Sequence, residues 1–461
     1  MAPSGRAELS GADWFLVTVE RMMRAAGQGD HAALSVLRLG VGFDVEALRR
    51  AVARVAAASP IAVACLKKNP LGVPRWQWSE TGAPPVASGT PLVARTPSSV
   101  CGEARAPRAC CELGLADFPI RVHENAEPWE LFAHRLLGES FPEVVRFEIL
   151  PAADGTTTLL MRWRHAWLDG KGAELLLAEI ARLAEDAAAE PHAESWGAIA
   201  PRAQGWRTLR GEAEKFKDHF YALAKLGLRS LGGAKARASA ARFHIEEFTA
   251  EESAKIAARA SEVSRGMFQI GWFLAAAMRA HHVILEKRGQ VPESYQSGCA
   301  VQERKRGARH PIWQNQVSQL FFCLRPTQLG DLGEAARLLQ EQFSEMSRAR
   351  LETAFAVMAR LFRRLPSWFY LRMLRHNSHG HLTSFFFSHT GEFLPECRTF
   401  CGAPITQGWH IPTVSQPPGS GIFFNQRDGR LSATLSWREG VLDAAELAEM
   451  RAQLRRDLLG E

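Results

Sequence analysis

The feature that most constrains this chain is a β-prone run, Thr156 to Trp163, that passes through Arg164-His165-Ala166-Trp167-Leu168-Asp169-Gly170 into an amphipathic stretch, Ala173 to Leu183. A strand that stops at a histidine, turns through Asp-Gly and starts a helix puts that histidine at the end of a sheet. Sheet ends beside helix N-termini are where α/β folds gather ligands. Histidine is also the side chain whose ordinary pKa, about 6.5, lets it accept and return a proton near neutrality. Asp169 before Gly170 reads as a turn and an N-cap, so Asp169 fixes the loop that aims His165. His165 is therefore a candidate general base, the alternative being a loop residue that serves only the fold.

The surrounding order is strands interleaved with helices. Ala32 to Leu39 reads as a strand, and Asp44 caps a helix with an apolar stripe at Leu48, Val52 and Val55. Ile61 to Leu66 and Arg75 to Trp78 read as a strand pair, and 79–117, rich in Pro, Gly, Ser and Thr, as loop. Val144 to Leu150 turns through Ala152-Ala153-Asp154-Gly155 into the His165 strand. From Glu190 to Ala241 the composition shifts to Ala, Arg, Lys and Gly around one basic helix, Trp206 to Leu228. This divides the chain into a first domain, 1–190, a linker, 191–241, and a second domain, 242–461. The second opens with strand Arg242 to Phe248 and a capping box at Thr249 and Glu252, and closes with a hairpin across Arg427-Asp428-Gly429 and a last helix.

Bulk properties exclude several classes. At 461 residues the chain exceeds what one core usually organises. The longest apolar stretch, near Trp272 to Met278, is far short of the roughly 20 residues that span a bilayer. Residues 1–20 lack a signal pattern, and eight cysteines lack a framework, so a cytoplasmic protein with reduced thiols is expected. The net charge of +7 suits a partner with phosphates or carboxylates, including an anionic membrane surface as a peripheral contact. No phosphate loop or RNA motif appears, and nucleic acid is not expected. A monomer is the expected state.

The order of motifs resembles the chloramphenicol-acetyltransferase-like superfamily, which includes condensation domains, wax-ester synthases and polyketide- or glycolipid-associated acyltransferases. Its signature is His-His-x-x-x-Asp-Gly; Arg164 to Gly170 supplies all but the first His. Leu9-Ser10-Gly11-Ala12-Asp13, Phe43 to Leu48 followed by Pro60, Asn315-Gln316-Val317-Ser318 and Phe387-Ser388-His389-Thr390-Gly391 are similar to other family segments, in the family's order. The resemblance implies an α/β fold of two chloramphenicol-acetyltransferase-like domains, each a mixed sheet with flanking helices, arranged as a V around a tunnel.

It also implies acyl transfer from a thioester, acyl-coenzyme A or an acyl carrier protein, to an alcohol or amine, with His165 as base and no bound cofactor. The alternative is a non-catalytic docking module. Asp169 has a structural role in the family, held by an arginine that would fall near Val63, where this chain has none. Arg304 and Arg306 are the candidate replacements. Arg164 either lowers the pKa of His165 or points the other way and pairs with an acid in the core. By family position Gly170, Asn315, Ser318 and Ser388 are candidate oxyanion or substrate contacts. Trp163, Trp167 and Phe385 to Phe387 favour a lipidic or aromatic substrate. His281-His282 reads as a helix-surface pair, Cys110-Cys111 as incidental, and the basic run Lys215 to Arg237 either as facing phosphates or as a solvated face. The His and Cys residues from His376 to His410 lack the spacing of a metal site, and no metal is expected.

Overall fold

In the computed structural model, residues 5–59, 64–68, 72–78, 118–124, 127–192, 206–266, 268–305, 307–376 and 378–461 are described. The two main sheets are both mixed. The first has six strands in the order Thr399–Phe400, Ala403–Ile411, Ala32–Leu39, Thr157–Arg164, Val145–Pro151, Ile120–Val122, antiparallel except for the last pair. The second has four, Phe386–Glu392, Ser420–Arg427, Arg430–Arg438 and Ala241–Glu247, with the first pair parallel. Tyr295–Gln302 pairs with Val317–Leu324, and Arg75–Trp78 lies between Gly5–Glu8 and Cys65–Lys67.

The His165 strand is central in its sheet, buried at every position from Thr157 to Arg164. It is followed by helix Gly170–Glu185, which buries Ala173, Leu176, Leu177 and Ile180. That spacing, one apolar side chain every three or four residues, is the stripe read from the sequence. Gly172 is required by close approach: a Cβ there would sit 2.3 Å from the Ile312 carbonyl oxygen. The helix therefore lies against the backbone of a segment from the other half of the chain.

Sheet membership does not follow chain order. Strand Ala403–Ile411 belongs to the first sheet, paired with Ala32–Leu39, although it lies beyond residue 241. Local patterning does not predict this strand, because Pro404, Gly408 and a bulge between Ile405 and Gln407 break its alternation. It is a strand through its long-range pairing. Helix Ser367–His376 is likewise unpredicted.

The helix within 191–241, Trp206–Ala224, presents Phe216 and Phe220 to Phe321, Phe355 and Phe362. Its Arg210 and Lys215 pair with Glu214 and Glu212 of the same helix. His281 and His282 do not form a surface pair. His281 is fully buried, stacks on Phe385 and bonds Ser420, and half-buried His282 bonds Tyr295. No helix among the described residues is long and apolar enough to cross a membrane.

Candidate active site

A cavity of about 750 Å³ opens between the sheets, with His165 in its wall. The His165 loop is held at every residue. The His165 N–H donates to the His31 carbonyl at 3.0 Å, and the Gln314 N–H to the Trp167 carbonyl at 2.8 Å. Ala166, Trp167 and Leu168 are fully buried. Nδ1 of His165 lies 3.1 Å from the Leu168 carbonyl oxygen. A carbonyl only accepts, so Nδ1 carries the proton and the neutral ring keeps its lone pair on Nε2. Burial lowers the His165 pKa below 6.5, and the Asp169 carboxylate and the loop carbonyls offset this only in part. At neutral pH the ring is a free base.

Asp169 caps the following helix by accepting the Gly172 N–H at 2.6 Å. Its carboxylate also receives the Gln316 N–H at 2.8 Å and Arg304 Nη1 at 2.9 and 2.7 Å. Of the two candidate arginines, Arg304 is the one paired with Asp169. Arg306, Val63 and the Cys110-Cys111 pair lie outside the described residues. Arg164 points away from His165 into the core, where it pairs with Glu20 and lies over the Trp167 ring at 4.5 Å. Of the two readings of Arg164, the geometry is that of the core ion pair. The first position of the signature therefore contributes no group to the cavity.

Two of the expected oxyanion contacts are corrected. The Asn315 amide is committed, with Nδ2 donating to Asp13 Oδ1 and to the His165 carbonyl, both at 2.9 Å. Ser318 donates to the Glu352 carbonyl at 2.7 Å. Neither is among the cavity-lining residues, whereas Gly170 and Ser388 are. Asn315 instead ties the His165 loop to Asp13, whose buried carboxyl also closes the capping box of the first helix.

Three cavity groups escape the sequence reading. His31 is buried beside His165, ring centroids 5.0 Å apart, and burial holds its pKa well below 6.5. Ala32 pairs with Arg164 in an antiparallel ladder, so a histidine before one strand meets a histidine after the other. A second His beside a predicted strand was the available signal. Glu174 and His410 form the others: His410 Nε2 lies 3.1 Å from Glu174, whose other oxygen receives Lys171 Nζ at 2.9 Å. His410 Nδ1 meets Ser35, which also accepts the Trp163 indole N–H.

The cavity has two characters. Lys171, Glu174, His410 and Asn425 line one part, and Phe216, Phe220, Phe321, Phe355, Phe362 and Tyr370 another. Among the described residues no group of three or more His, Cys, Asp or Glu could hold a metal ion.

No family model and no curated protein matches this chain. Solved structures do. The trichothecene 15-O-acetyltransferase TRI3 from Fusarium sporotrichioides is 13% identical, with a TM-score of 0.70 over 99% of this chain and 95% of that one. The first condensation domain of the CDA synthetase is 15% identical, with a TM-score of 0.67 over 99% and 96%. The condensation domain of the monacolin K polyketide synthase MokA is 11% identical, with a TM-score of 0.62 over 100% and 98%. The chain has the two-lobed chloramphenicol-acetyltransferase-like fold. Among the structures sharing it are condensation domains and an O-acetyltransferase.

Proposed function

We propose that this protein is an acyltransferase that moves an acyl group from a thioester, acyl-coenzyme A or an acyl carrier protein, to a hydroxyl or amine. The observation that carries this is the state of His165: neutral, with Nδ1–H committed to Leu168 and Nε2 free in the cavity between the sheets. Nε2 accepts the O–H or N–H proton as the acceptor's oxygen or nitrogen attacks the thioester carbonyl. The tetrahedral intermediate then collapses, the C–S bond breaks, and the proton on Nε2 passes to the leaving thiolate. The products are an ester or amide and a free thiol.

Donors for the oxyanion come from the N-terminus of helix Gly170–Glu185, whose first N–H groups and dipole favour negative charge, and from Ser388. Asp169, Arg304 and Asn315 act on the loop and are positioning residues. The aromatic part of the cavity suits a lipidic or aromatic group, which favours ester over amide formation. Thiol release from a panel of acyl-coenzyme A donors and alcohols, followed with a thiol reagent, tests the reading. Wild-type turnover lost in His165→Ala supports it; full turnover in that variant would overturn it, and no turnover with any donor would favour a binding module.

A further inference from the structure

Among the described residues eight large apolar side chains are exposed, and Leu361, Trp368 and Phe369 supply three of them within nine residues. Trp368, 68% exposed, is the most open of the eight. Trp368 and Phe369 pack edge to face, 5.7 Å between ring centroids, at the start of helix Ser367–His376. From Thr353 to Gly391 the chain carries five arginines and no Asp or Glu. Arg363 is turned inward to Glu8 and Arg375 to backbone carbonyls, but Arg364 and Arg372 are exposed. Arg372, four residues after Trp368, shares its helix face. Exposed Arg21 joins them from the first helix, bonded to Ser367 at 3.3 Å. The opposite side of the same helix lines the cavity through Tyr370 and Leu374.

We propose that this face docks the protein on an anionic membrane surface. Adjacent exposed aromatic side chains, in a segment with exposed arginines and no acid, match what a lipid interface takes up: rings at the headgroup level and cations against lipid phosphates and carboxylates. A lone apolar side chain on a surface is ordinary; a contacting Trp-Phe pair with a third exposed apolar residue seven positions earlier and this charge is not. The inference does not depend on the transfer chemistry, because its readout is adsorption and not turnover.

The test is sedimentation of the full chain with vesicles of phosphatidylcholine, alone or mixed with phosphatidylserine. Wild type should pellet with the mixed vesicles, weakly with phosphatidylcholine alone, and less as salt rises. Trp368→Ala with Phe369→Ala should lower partitioning about tenfold or more. Arg364→Gln and Arg372→Gln should each lower it about fivefold. Unchanged melting curves would show that these exposed substitutions leave the fold intact. Failure of wild type to pellet, or equal pelleting of all variants, overturns the proposal. So does a face that binds an acidic carrier protein, sensitive to the same substitutions, while ignoring vesicles.

Discussion

Arg304 grips Asp169 across 135 residues of sequence, Nη1 lying 2.9 and 2.7 Å from the two carboxylate oxygens, with both side chains buried. The pair joins the helix cap behind His165 to the segment that crosses from the other lobe.

Breaking that pair leaves a buried charge without its partner. Asp169→Asn or Arg304→Gln should cost about 3–5 kcal/mol in urea unfolding, and the double variant less than the sum of the two. Transfer should fall in both through a misplaced His165. Simple additivity in the double-mutant cycle would show that the two residues are not coupled.

Restoring the first histidine of the signature should not help. Arg164→His removes the guanidinium that Glu20 meets in the core, where Glu20 also pairs with Arg24 at 2.8 Å. A loss of about 2–4 kcal/mol is expected, with no gain in turnover. Faster thiol release from this variant would mean that the first position reaches the substrate.

Gly172 and Gly170 should respond differently to alanine. The Cβ of Gly172→Ala would sit 2.3 Å from the Ile312 carbonyl oxygen, whereas that of Gly170→Ala meets nothing nearer than Thr390 at 3.9 Å. The first should destabilise by about 1–3 kcal/mol and the second scarcely at all. Thermal melts of both variants check this contrast.

Activity should be lost only on the acid side. His165 works as the neutral ring, and burial depresses its pKa below 6.5, so kcat/KM should be flat through neutrality and fall as pH drops through that lowered value. An inflection above neutrality, measured under subsaturating acceptor, would assign the base to another group.

Acid should also weaken the fold. Burial lowers His281 and His389 to about 4. Between the unfolded value near 6.5 and the folded value near 4 the unfolded chain binds protons that the folded chain refuses. Stability is therefore full above this window and falls as pH drops through it, by roughly 3 kcal/mol per ring at most. His389→Phe, which keeps the contact with Phe273, should flatten the slope between pH 7 and 5 in urea titrations; an unchanged slope would assign it elsewhere.

The sequence by itself determined the local scaffold of the site. The run into His165, the N-cap at Asp169 and the apolar stripe of the next helix are short-range patterns, set by the periods of strand and helix, and all three are present in the structure. The two mixed sheets were implied by the family resemblance that the order of motifs carries. Tertiary structure alone decided which side chains serve the histidine. Arg304, not a residue near Val63, holds Asp169; Asn315 and Asp13 hold the loop; His31 stands beside the ring; and Ala403–Ile411 is a strand because Ala32–Leu39 is its neighbour. The physical reason is the same throughout. Periodicity records which face of an element is buried, whereas a buried polar group takes whichever partner the packed lobes bring within about 3 Å, at whatever distance along the chain.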